Sequence, residues 1–335
     1  MKVALVGATG LVGRTIITVL EEGKYLPLSS ISEFIPVASA RSAGSDIRFK
    51  QHTYKVKTVA EALALNPDLA IFSAGSETSL AHAAAFAGQG CYVIDNSSAW
   101  RDNENIPLVV PEVNIHTITA SQKIIANPNC STIQLAAVIA PLHRQYNIER
   151  LVISTYQSVS GSGARAIQQL YDERQGNKGM RVYPHNIDLN LFPHGGTFLP
   201  NGYTTEEMKL LTETRKILQT PDLKITATVV RVPVTGGHSE SVNIEFKQPF
   251  EMDELNRIIR TSKGVVLQDD TDRNVYPMPR HAAGRDEIFV GRVRRDDTIP
   301  NAINLWIVAD NLRKGAATNA VQIAAHLLST ELIKA

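Results

Sequence analysis

The 335-residue sequence contains only two cysteines, Cys91 and Cys130. Two thiols cannot form the disulfide framework with which small secreted proteins supplement a hydrophobic core. The first residues, MKVALVGATG, turn at once into a glycine-rich loop, without the apolar core and cleavage site of a signal peptide. We therefore expect a soluble, cytoplasmic protein in which both cysteines remain thiols.

The sequence also lacks an excess of charge and any long apolar run. Lys and Arg number 34 against 33 Asp and Glu, which gives a net charge of +1 and does not favour nucleic acid or an anionic membrane as a partner. No apolar run approaches the roughly 20 residues needed to cross a bilayer. Repeats and low-complexity tracts are absent, and no metal site is expected. The composition is that of a globular protein of about two domains.

Short apolar strands alternate with helical segments in the first third of the chain. The predicted strands are Lys2–Gly7, Phe34–Ala40, Asp68–Ser73 and Tyr92–Asp95, and the predicted helical segments are Leu11–Leu20, 61–65 and 79–88. This alternation predicts crossover units on a parallel sheet of Rossmann type, with ligands bound at the carboxyl ends of the strands.

Three glycines, Gly7, Gly10 and Gly13, form the turn GATGLVG between the first strand and the first helix. Glycine allows a tight bend and a close approach of the backbone to a diphosphate, which then binds at the amino end of the helix. The position of this turn predicts dinucleotide binding. Its spacing, G-x-x-G-x-x-G, differs from the commoner G-x-G-x-x-G and does not identify the cofactor.

The residues after the second predicted strand bear on the choice between NAD and NADP. An acid there would bind the ribose hydroxyls of NAD, whereas an arginine accommodates the 2′-phosphate of NADP. The strand leads into Ser39, Ala40, Arg41 and Ser42, and Glu33 precedes it. The pattern therefore favours NADP, the alternative being that Arg41 is an ordinary solvated loop cation.

Longer strands dominate the rest of the chain. They are predicted at Arg150–Ser160, Lys224–Val234, Ser239–Lys247, Glu287–Val293 and Ala302–Asp310, with helices at Thr205–Leu218 and Met252–Ser262. Such a pattern predicts a mixed or antiparallel sheet with helices on one face. Residues 175–203 are predicted to be a loop, and residues 312–333 an amphipathic helix that could return to the first domain.

Cys130 follows a short strand and the turn Asn127-Pro128-Asn129, ahead of a predicted helix that starts at about Ser131. Asn129 is a plausible helix cap. The positive end of a helix dipole favours the thiolate, so this position suits a nucleophile. The usual alternative, a buried inert cysteine, better fits Cys91, which lies beside an apolar strand.

A nucleophilic cysteine needs a group that handles protons. Among nine histidines, His238 differs from the others because it follows a glycine pair where a strand breaks, in RVPVTGGHS. Glycines at strand ends often allow a ligand to approach closely. His238 is therefore a candidate acid/base.

Seven segments, GATGLVG, SSAWR, NPNCST, YQSVSGSG, EEMK, RVPVTGGHS and DNLRKGAA, together resemble aspartate-β-semialdehyde dehydrogenases over essentially the whole chain. The resemblance implies NADPH-dependent reductive dephosphorylation of β-aspartyl phosphate to aspartate-β-semialdehyde, on the route to lysine, methionine, threonine and isoleucine. It implies a Cys130 thioester, with His238 as general acid/base and Gln157 orienting the intermediate.

The resemblance also implies which residues bind substrate and cofactor. Arg231 would bind the substrate carboxylate, Glu206 (or its neighbour Glu207) the ammonium, and Arg101 and Lys209 the phosphate. Asn129, beside the nucleophile, would also bind the substrate. The implied cofactor residues are Gly7, Thr9, Gly10, Leu11, Val12, Gly13, Ser39, Arg41, Ser42, Ser73, Ala74, Gly75, Ser160, Gly161 and Asn311.

The expected organisation is an NADP-binding domain of residues 1–128 with 311–335, and a catalytic and dimerisation domain of residues 129–310. A homodimer or homotetramer would form through the second domain. Two alternatives remain open. One is an N-acetyl-γ-glutamyl-phosphate reductase, which shares the fold, the thioester and NADPH. The other is a non-catalytic NADP-binding redox sensor.

Overall fold

A computed structural model describes residues 1–334 of the chain. Its internal contacts divide it into two compact units, Met1–Asn129 together with the segment that starts at Ala316, and Cys130–Gly315. Each unit is described by itself below. Among the described residues, no helix has both the length and the apolar character needed to cross a lipid bilayer.

Residues 1–129 alternate strands and helices, as predicted. In chain order they form β1 (Lys2–Val6), α1 (Leu11–Glu22), β2 (Glu33–Val37), β3 (Asp46–Phe49), β4 (His52–Lys55), α2 (Val59–Ala64), β5 (Leu69–Phe72), α3 (Ser76–Gly88), β6 (Tyr92–Asp95), α4 (Pro111–Asn114) and β7 (Ile124–Ala126). Short 3-10 turns lie at Leu28–Ser30 and Ile115–Thr117.

Five of these strands form one parallel sheet in the order β2-β1-β5-β6-β7. The chain first moves from β1 to β2 on one side and then to β5 on the other. The carboxyl ends of β1 and β5 therefore frame a topological switch point, where ligands bind in folds of this type. The predicted Rossmann-type sheet is confirmed.

Residues 130–315 are richer in strands. They form α5 (Cys130–Tyr146), β8 (Ile148–Gln157), α6 (Ala164–Arg174), α7 (Thr205–Leu218), β9 (Lys224–Arg231), β10 (His238–Phe246), α8 (Met252–Thr261), β11 (Val265–Leu267), α9 (Pro279–Ala282), β12 (Ile288–Arg295) and β13 (Ala302–Ala309). A 3-10 turn, Val159–Ser162, follows β8.

The second sheet has the order β11-β12-β13-β10-β8-β9. The pairs β11–β12 and β8–β9 are parallel and the other pairs are antiparallel, so the predicted mixed sheet is confirmed. Helices α5, α7 and α8 pack against its strands. Alternate residues of β8 and β9 are buried, as expected for a sheet with one helix-covered face.

The last helix belongs to the first unit. A π-helical turn, Arg313–Ala317, precedes the helix α10 (Thr318–Ser329), so the prediction of one continuous helix over residues 312–333 is wrong at both ends. Val321 and Leu327 of α10 share a core with Ile16 and Leu20 of α1. The predicted return of the terminal helix to the first domain is confirmed.

Several elements were not predicted. The hairpin β3–β4 has strands of only four residues, most of them partly or fully exposed, so its strand pattern is too brief to be recognised. Helix α6 buries only Ala166, Gln169 and Leu170, and β11 is three residues long. Several predicted strands end too late, β2 at Val37 rather than Ala40 and β9 at Arg231 rather than Val234. Residues 175–203 contain neither helix nor named strand, as expected.

Helix α7 begins with a capping box. The backbone N–H of Glu207 donates to Thr204 Oγ1 (3.3 Å), and the Thr204 N–H donates to Glu207 Oε2 (2.6 Å). The other oxygen of Glu207 accepts from the backbone N–H of Val229 on β9 (3.0 Å). The buried Glu207 carboxylate thus ties α7 to the sheet, whereas Glu206 pairs with Lys209 (2.9 Å).

We expect Glu207→Ala to lower the free energy of unfolding by about 1–3 kcal/mol, because two buried N–H groups lose their acceptor. Urea denaturation followed by circular dichroism would measure this. The matched control is Glu206→Ala, which removes a partly exposed ion pair and should cost less than about 1 kcal/mol. Equal losses in the two variants would contradict this assignment.

Candidate active site

Cys130 is the first residue of α5 and is partly exposed. Helix α5 packs against β8, β10 and β13. Cys91 is buried, and burial raises the pKa of its thiol to about 12. Of the two cysteines, Cys130 is therefore the one placed for chemistry, at the helix start predicted for it.

A glycine that sequence reasoning missed allows close packing beside Cys130. A Cβ added to Gly315 would lie 2.9 Å from Cys130 Cβ, a separation at which one of the two would have to move. Asp310 shapes the turn that carries Gly315, since its Oδ1 accepts the backbone N–H of Leu312 (2.8 Å) and Arg313 (3.0 Å). The DNLRKGAA motif contained Gly315, but the sequence alone did not indicate its neighbour.

His238 is the first residue of β10 and is fully buried. The backbone N–H of Ser158 donates to its Nδ1 (3.2 Å). Since a backbone N–H can only donate, Nδ1 must be the unprotonated nitrogen of the neutral ring, and Nε2 carries the proton. Burial, reinforced by the positive charge of Arg231, lowers the pKa of His238 to about 3, while Glu206 acts in the opposite direction. The imidazole is therefore neutral at pH 7.

Arg231, the last residue of β9, lies beside His238. Its Nη1 donates to the carbonyl oxygen of Ser158 (2.8 Å), and only 6% of the residue is exposed. A Cβ added to Gly161 would lie 3.0 Å from His238 Nε2 and 3.1 Å from Arg231 Nη1. Because Gly161 has no side chain, it leaves a space that the imidazole and the guanidinium both face. Within the described residues, His238 Nε2 and Arg231 Nε are buried without hydrogen-bond partners.

Asn311 ties together the two loops that shape this region. Its Oδ1 accepts from the Ser158 hydroxyl (3.1 Å), the Ser160 hydroxyl (3.2 Å) and the Gly237 backbone N–H (3.0 Å). Its Nδ2 donates to Ser160 Oγ (3.0 Å). The side chains of Asn311 and Ser160 therefore hold the loops in place. Any contact of these two residues with a cofactor would come from their backbone atoms.

Gln157 ends β8 and is buried. Its Nε2 donates to Ser131 Oγ (3.0 Å), so it is linked to the residue that follows Cys130. Of the two residues predicted from the sequence, Cys130 begins α5 and Gln157 contacts the first turn of α5 from β8.

The carboxylate of Glu206 and the ammonium of Lys209 form an ion pair on one face of α7. The electrostatic influence of Glu206 on His238 shows that this pair and the imidazole belong to the same region. The carboxylate of Glu207, by contrast, is used for capping and for contact with β9.

In the first unit, Arg101 is buried against the segment that leads to the cysteine. Its Nε donates to the carbonyl of Asn127 (2.9 Å) and its Nη2 to the carbonyl of Asn96 (2.7 Å). Asn127 is held in turn by Asn319 of α10, whose Nδ2 donates to Asn127 Oδ1 (2.6 Å). Asn129 is also buried.

The glycine turn lies at the switch point of the parallel sheet. Gly7 has φ of +95°, and a Cβ there would lie 2.5 Å from the carbonyl oxygen of Ser73. A Cβ on Gly13 would overlap the carbonyl oxygen of Gly7. Helix α1 begins after Gly10 without a side-chain cap, so its first N–H groups can bind an anion.

A cleft of about 540 Å³ opens beside this turn. It is lined by Val6, Gly7, Thr9, Gly10, Ala38, Ser39, Ala40, Thr58, Val59, Ser73, Ala74, Thr78 and His82. Leu11 and Val12 start α1, and Gly75 precedes α3 with φ of +89°. Six of the predicted dinucleotide residues, Gly7, Thr9, Gly10, Ser39, Ser73 and Ala74, therefore line one cleft, and Thr78 and His82 are additions that the sequence did not indicate.

Arg41 and Ser42 lie in the turn after β2, and Arg41 is exposed. Glu33 is the first residue of β2, at the opposite end of the strand from the cleft. No cluster of His, Cys, Asp and Glu that could hold a metal ion occurs in residues 1–334.

Comparisons with known proteins agree with this geometry. Residues 2–121 match the family described as "Semialdehyde dehydrogenase, NAD binding domain", and residues 139–314 match "Semialdehyde dehydrogenase, dimerisation domain". The chain is 46% identical to the aspartate-semialdehyde dehydrogenase of Aquifex aeolicus, with 99% of each chain covered. It is 44% identical to that of Legionella pneumophila, with 100% of this chain and 97% of the relative covered.

Solved structures give the same result. Aspartate semialdehyde dehydrogenase II from Vibrio cholerae superimposes with a TM-score of 0.92 at 41% identity, covering 99% of each chain. The same enzyme complexed with ASA gives a TM-score of 0.92 at 42% identity over 97% of each chain. The residue pattern, the two folds and these full-length similarities lead to one conclusion: the chain belongs to the aspartate-semialdehyde dehydrogenase family.

Proposed function

We propose that this chain converts L-β-aspartyl phosphate to L-aspartate-β-semialdehyde and phosphate with NADPH, through a thioester on Cys130. Residues 1–128 with 311–335 would bind NADP, and residues 129–310 would carry out catalysis. The observation that carries the proposal is that the His238 imidazole and the Arg231 guanidinium meet at one space left by Gly161, where His238 Nε2 and Arg231 Nη1 lie 3.0 and 3.1 Å from the position of an added Cβ. Within the described residues, His238 Nε2 and Arg231 Nε are both buried without hydrogen-bond partners.

The residues around the first cleft fit a dinucleotide. Gly7, Gly10 and Gly13 keep the turn free of side chains where a diphosphate must approach the backbone. Thr9, Leu11 and Val12 would provide N–H groups at the start of α1, and Ser39, Arg41 and Ser42 would surround the 2′-phosphate. The other contacts would come from Ser73–Gly75 and, in the second unit, from Ser160, Gly161 and Asn311. When bound, the reduced nicotinamide supplies a hydride to the acyl carbon.

In the first half of the reaction, the Cys130 thiolate attacks the acyl carbon of the substrate. The carbon–oxygen bond to phosphate breaks, and phosphate leaves with the electron pair. Arg101 and Lys209 would offset the negative charge of the phosphate. The product is a thioester, which accepts hydride far more readily than a carboxylate.

In the second half, a tetrahedral thiohemiacetal collapses to the aldehyde, and the carbon–sulfur electron pair returns to Cys130. A neutral His238 with its proton on Nε2 is suited to this step. It can donate a hydrogen bond to the oxygen as negative charge develops there, and so stabilise the oxyanion from which the carbonyl re-forms as the carbon–sulfur bond breaks. Gln157, hydrogen-bonded to Ser131, would orient the acyl oxygen.

The substrate's charged groups would be bound by the second unit. A guanidinium can bind the α-carboxylate through two parallel hydrogen bonds, a role for Arg231, and Glu206 would bind the α-ammonium. Recognition of the ammonium distinguishes this function from that of an N-acetyl-γ-glutamyl-phosphate reductase. Phosphate-dependent NADPH formation, measured with aspartate-β-semialdehyde and with N-acetyl-glutamate-γ-semialdehyde, tests the choice. A strong preference for the acetylated aldehyde would overturn the proposal, and no turnover with either would favour the redox sensor.

We further propose that the chain acts as a homodimer or homotetramer in the cytoplasm. In the second sheet, the face that bears Tyr156 and Trp306 is only partly buried within the described residues, and these two rings pack 5.4 Å apart between centroids. A partly apolar sheet face of this kind suits contact with a second copy.

Replacing Cys130 by Ala should reduce turnover by more than about 10³-fold, because no thioester can form. NADPH binding, followed by nucleotide fluorescence, should change less than threefold. The control is Cys91→Ala, which removes the buried thiol and should leave kcat within about twofold. Retained turnover in Cys130→Ala would refute the nucleophile.

Replacing Arg231 by Lys should lower kcat/KM for aspartate-β-semialdehyde by about 10²-fold or more, because a point charge cannot reproduce a bidentate contact. Steady-state kinetics with saturating NADP and phosphate measure the change, and the KM for NADP should remain the same. An unchanged kcat/KM would mean that Arg231 does not bind the substrate carboxylate.

Replacing Arg41 by Ala should weaken NADP binding about 10-fold and leave NAD binding unaltered, because the cation would pair only with the 2′-phosphate. The ratio of kcat/KM values for the two nucleotides measures this preference. The control is Lys55→Ala on the exposed hairpin β3–β4, which removes a cation nearby in the chain. If the preference survives Arg41→Ala, other groups recognise the 2′-phosphate.

A further inference from the structure

A second buried ionisable group lies two residues from His238 on the same strand. Glu240 has no exposed surface. It pairs with Thr155 of β8 on one side and Ile307 of β13 on the other, in the middle of the second sheet. Neither the reaction steps nor the proposed substrate contacts use it.

Glu240 points to the same side of the sheet as His238, because side chains at i and i+2 of a strand share a face. Helix α5 packs on β10, and its first turns carry the buried polar side chains of Ser131 and Gln134. The next residues on that face, Val242 and Ile244, are buried and apolar. The polar layer is therefore confined to the end of the strand where Cys130 and His238 lie.

Burial disfavours the charged form of the Glu240 carboxyl. Burial raises its pKa well above the usual range, and the nearby Ser131 and Gln134 only partly oppose this effect. A protonated carboxyl has one donor and retains acceptors, so it can satisfy a hydroxyl and an amide together. Ser131 and Gln134 are near enough to influence it, although neither meets it in full hydrogen-bond geometry.

Ser131 and Gln134 lead from Glu240 to the reacting groups. Ser131 follows Cys130 and accepts from Gln157 Nε2 (3.0 Å). Gln134 Nε2 donates to the carbonyl oxygen of His238 at 3.5 Å, the long end of the hydrogen-bond range. Glu240 thus lies under the helix turn that begins with the nucleophile. It is two residues from the imidazole on the same strand.

We propose that Glu240 is a positioning residue, which holds the first turn of α5, and with it Cys130 and Gln157, in place against His238 on β10. It acts through Ser131 and Gln134 and does not contact the substrate. A polar side chain here can hold a neighbouring hydroxyl and amide in place, whereas an apolar side chain of similar size would fill the same space and leave the helix turn without a polar anchor.

Glu240→Gln and Glu240→Leu separate these two contributions. Gln is neutral, similar in shape and retains a donor and an acceptor, so kcat should stay within about threefold of the wild-type value. Leu keeps the volume and loses the polar anchor, so kcat should fall about 10- to 100-fold, with KM for aspartate-β-semialdehyde changed less than threefold. The control is Ser239→Ala, which removes a buried hydroxyl from the adjacent position of β10 and should leave kcat unchanged.

This inference rests on the proposed function for its kinetic test, so a second measurement is independent of turnover. The rate of Cys130 alkylation by iodoacetamide, followed by mass spectrometry, reports the environment of the thiol directly, and the buried Cys91 should not react. We expect Glu240→Leu to change this rate at least threefold and Glu240→Gln to preserve it, at equal melting temperatures. Absence of turnover in the wild type would refute the proposed function and leave the alkylation result valid.

Two results would overturn the inference. One is a folded Glu240→Leu protein with wild-type kcat and alkylation rate. The other is a Glu240→Gln protein with a kcat reduced about 10-fold or more, which would show that the charge or acidity of Glu240 is required rather than its hydrogen bonds. The second result is decisive even if Glu240→Leu fails to fold.

Discussion

The hydrogen bond from the backbone N–H of Ser158 to Nδ1 of His238 is the interaction on which the catalytic region depends. It fixes the proton of the neutral imidazole on Nε2, the nitrogen that faces Gly161. Burial keeps the ring neutral at physiological pH. An imidazole with this orientation and protonation can stabilise charge on a reacting oxygen, which the opposite tautomer could not do from the same position.

The second sheet provides the geometry for this interaction. Strands β8, β9 and β10 are adjacent, and they end or begin at Gln157, Arg231 and His238. Adjacent strands hold their terminal side chains within a few ångströms of one another, so three groups from distant parts of the sequence meet at one edge. The loops beyond the strands are then fixed by the buried amide of Asn311. The positions of these three side chains are thus set by backbone pairing rather than by surface ion pairs.

The sequence predicted the two sheets, the site motifs and the start of α5, because each depends on local patterns. Glycine spacing marked the dinucleotide turn, and the run NPNC ahead of an amphipathic segment marked the helix start. Gly315 and Glu240 could not be assigned in this way, because their importance comes from neighbours that are remote in the sequence. The short hairpin β3–β4 was missed because each strand has only four residues, so Ile47, Phe49 and Tyr54, which pack on the core of the first unit, give too brief a strand pattern.

The sequence left open which of Glu206 and Glu207 would contact the substrate, although a local pattern already distinguished the two. Thr204 followed three residues later by Glu207 is the pattern of a capping box, in which the glutamate returns to the N–H of the capping threonine. A carboxylate with that task, and with Val229 as a further donor, is held at the helix start. Glu206 does not fit the pattern and lies with Lys209 on a different part of the helix surface. The physics of helix termini therefore gives Glu207 a structural role, which is why the proposed contact with the substrate ammonium is assigned to Glu206.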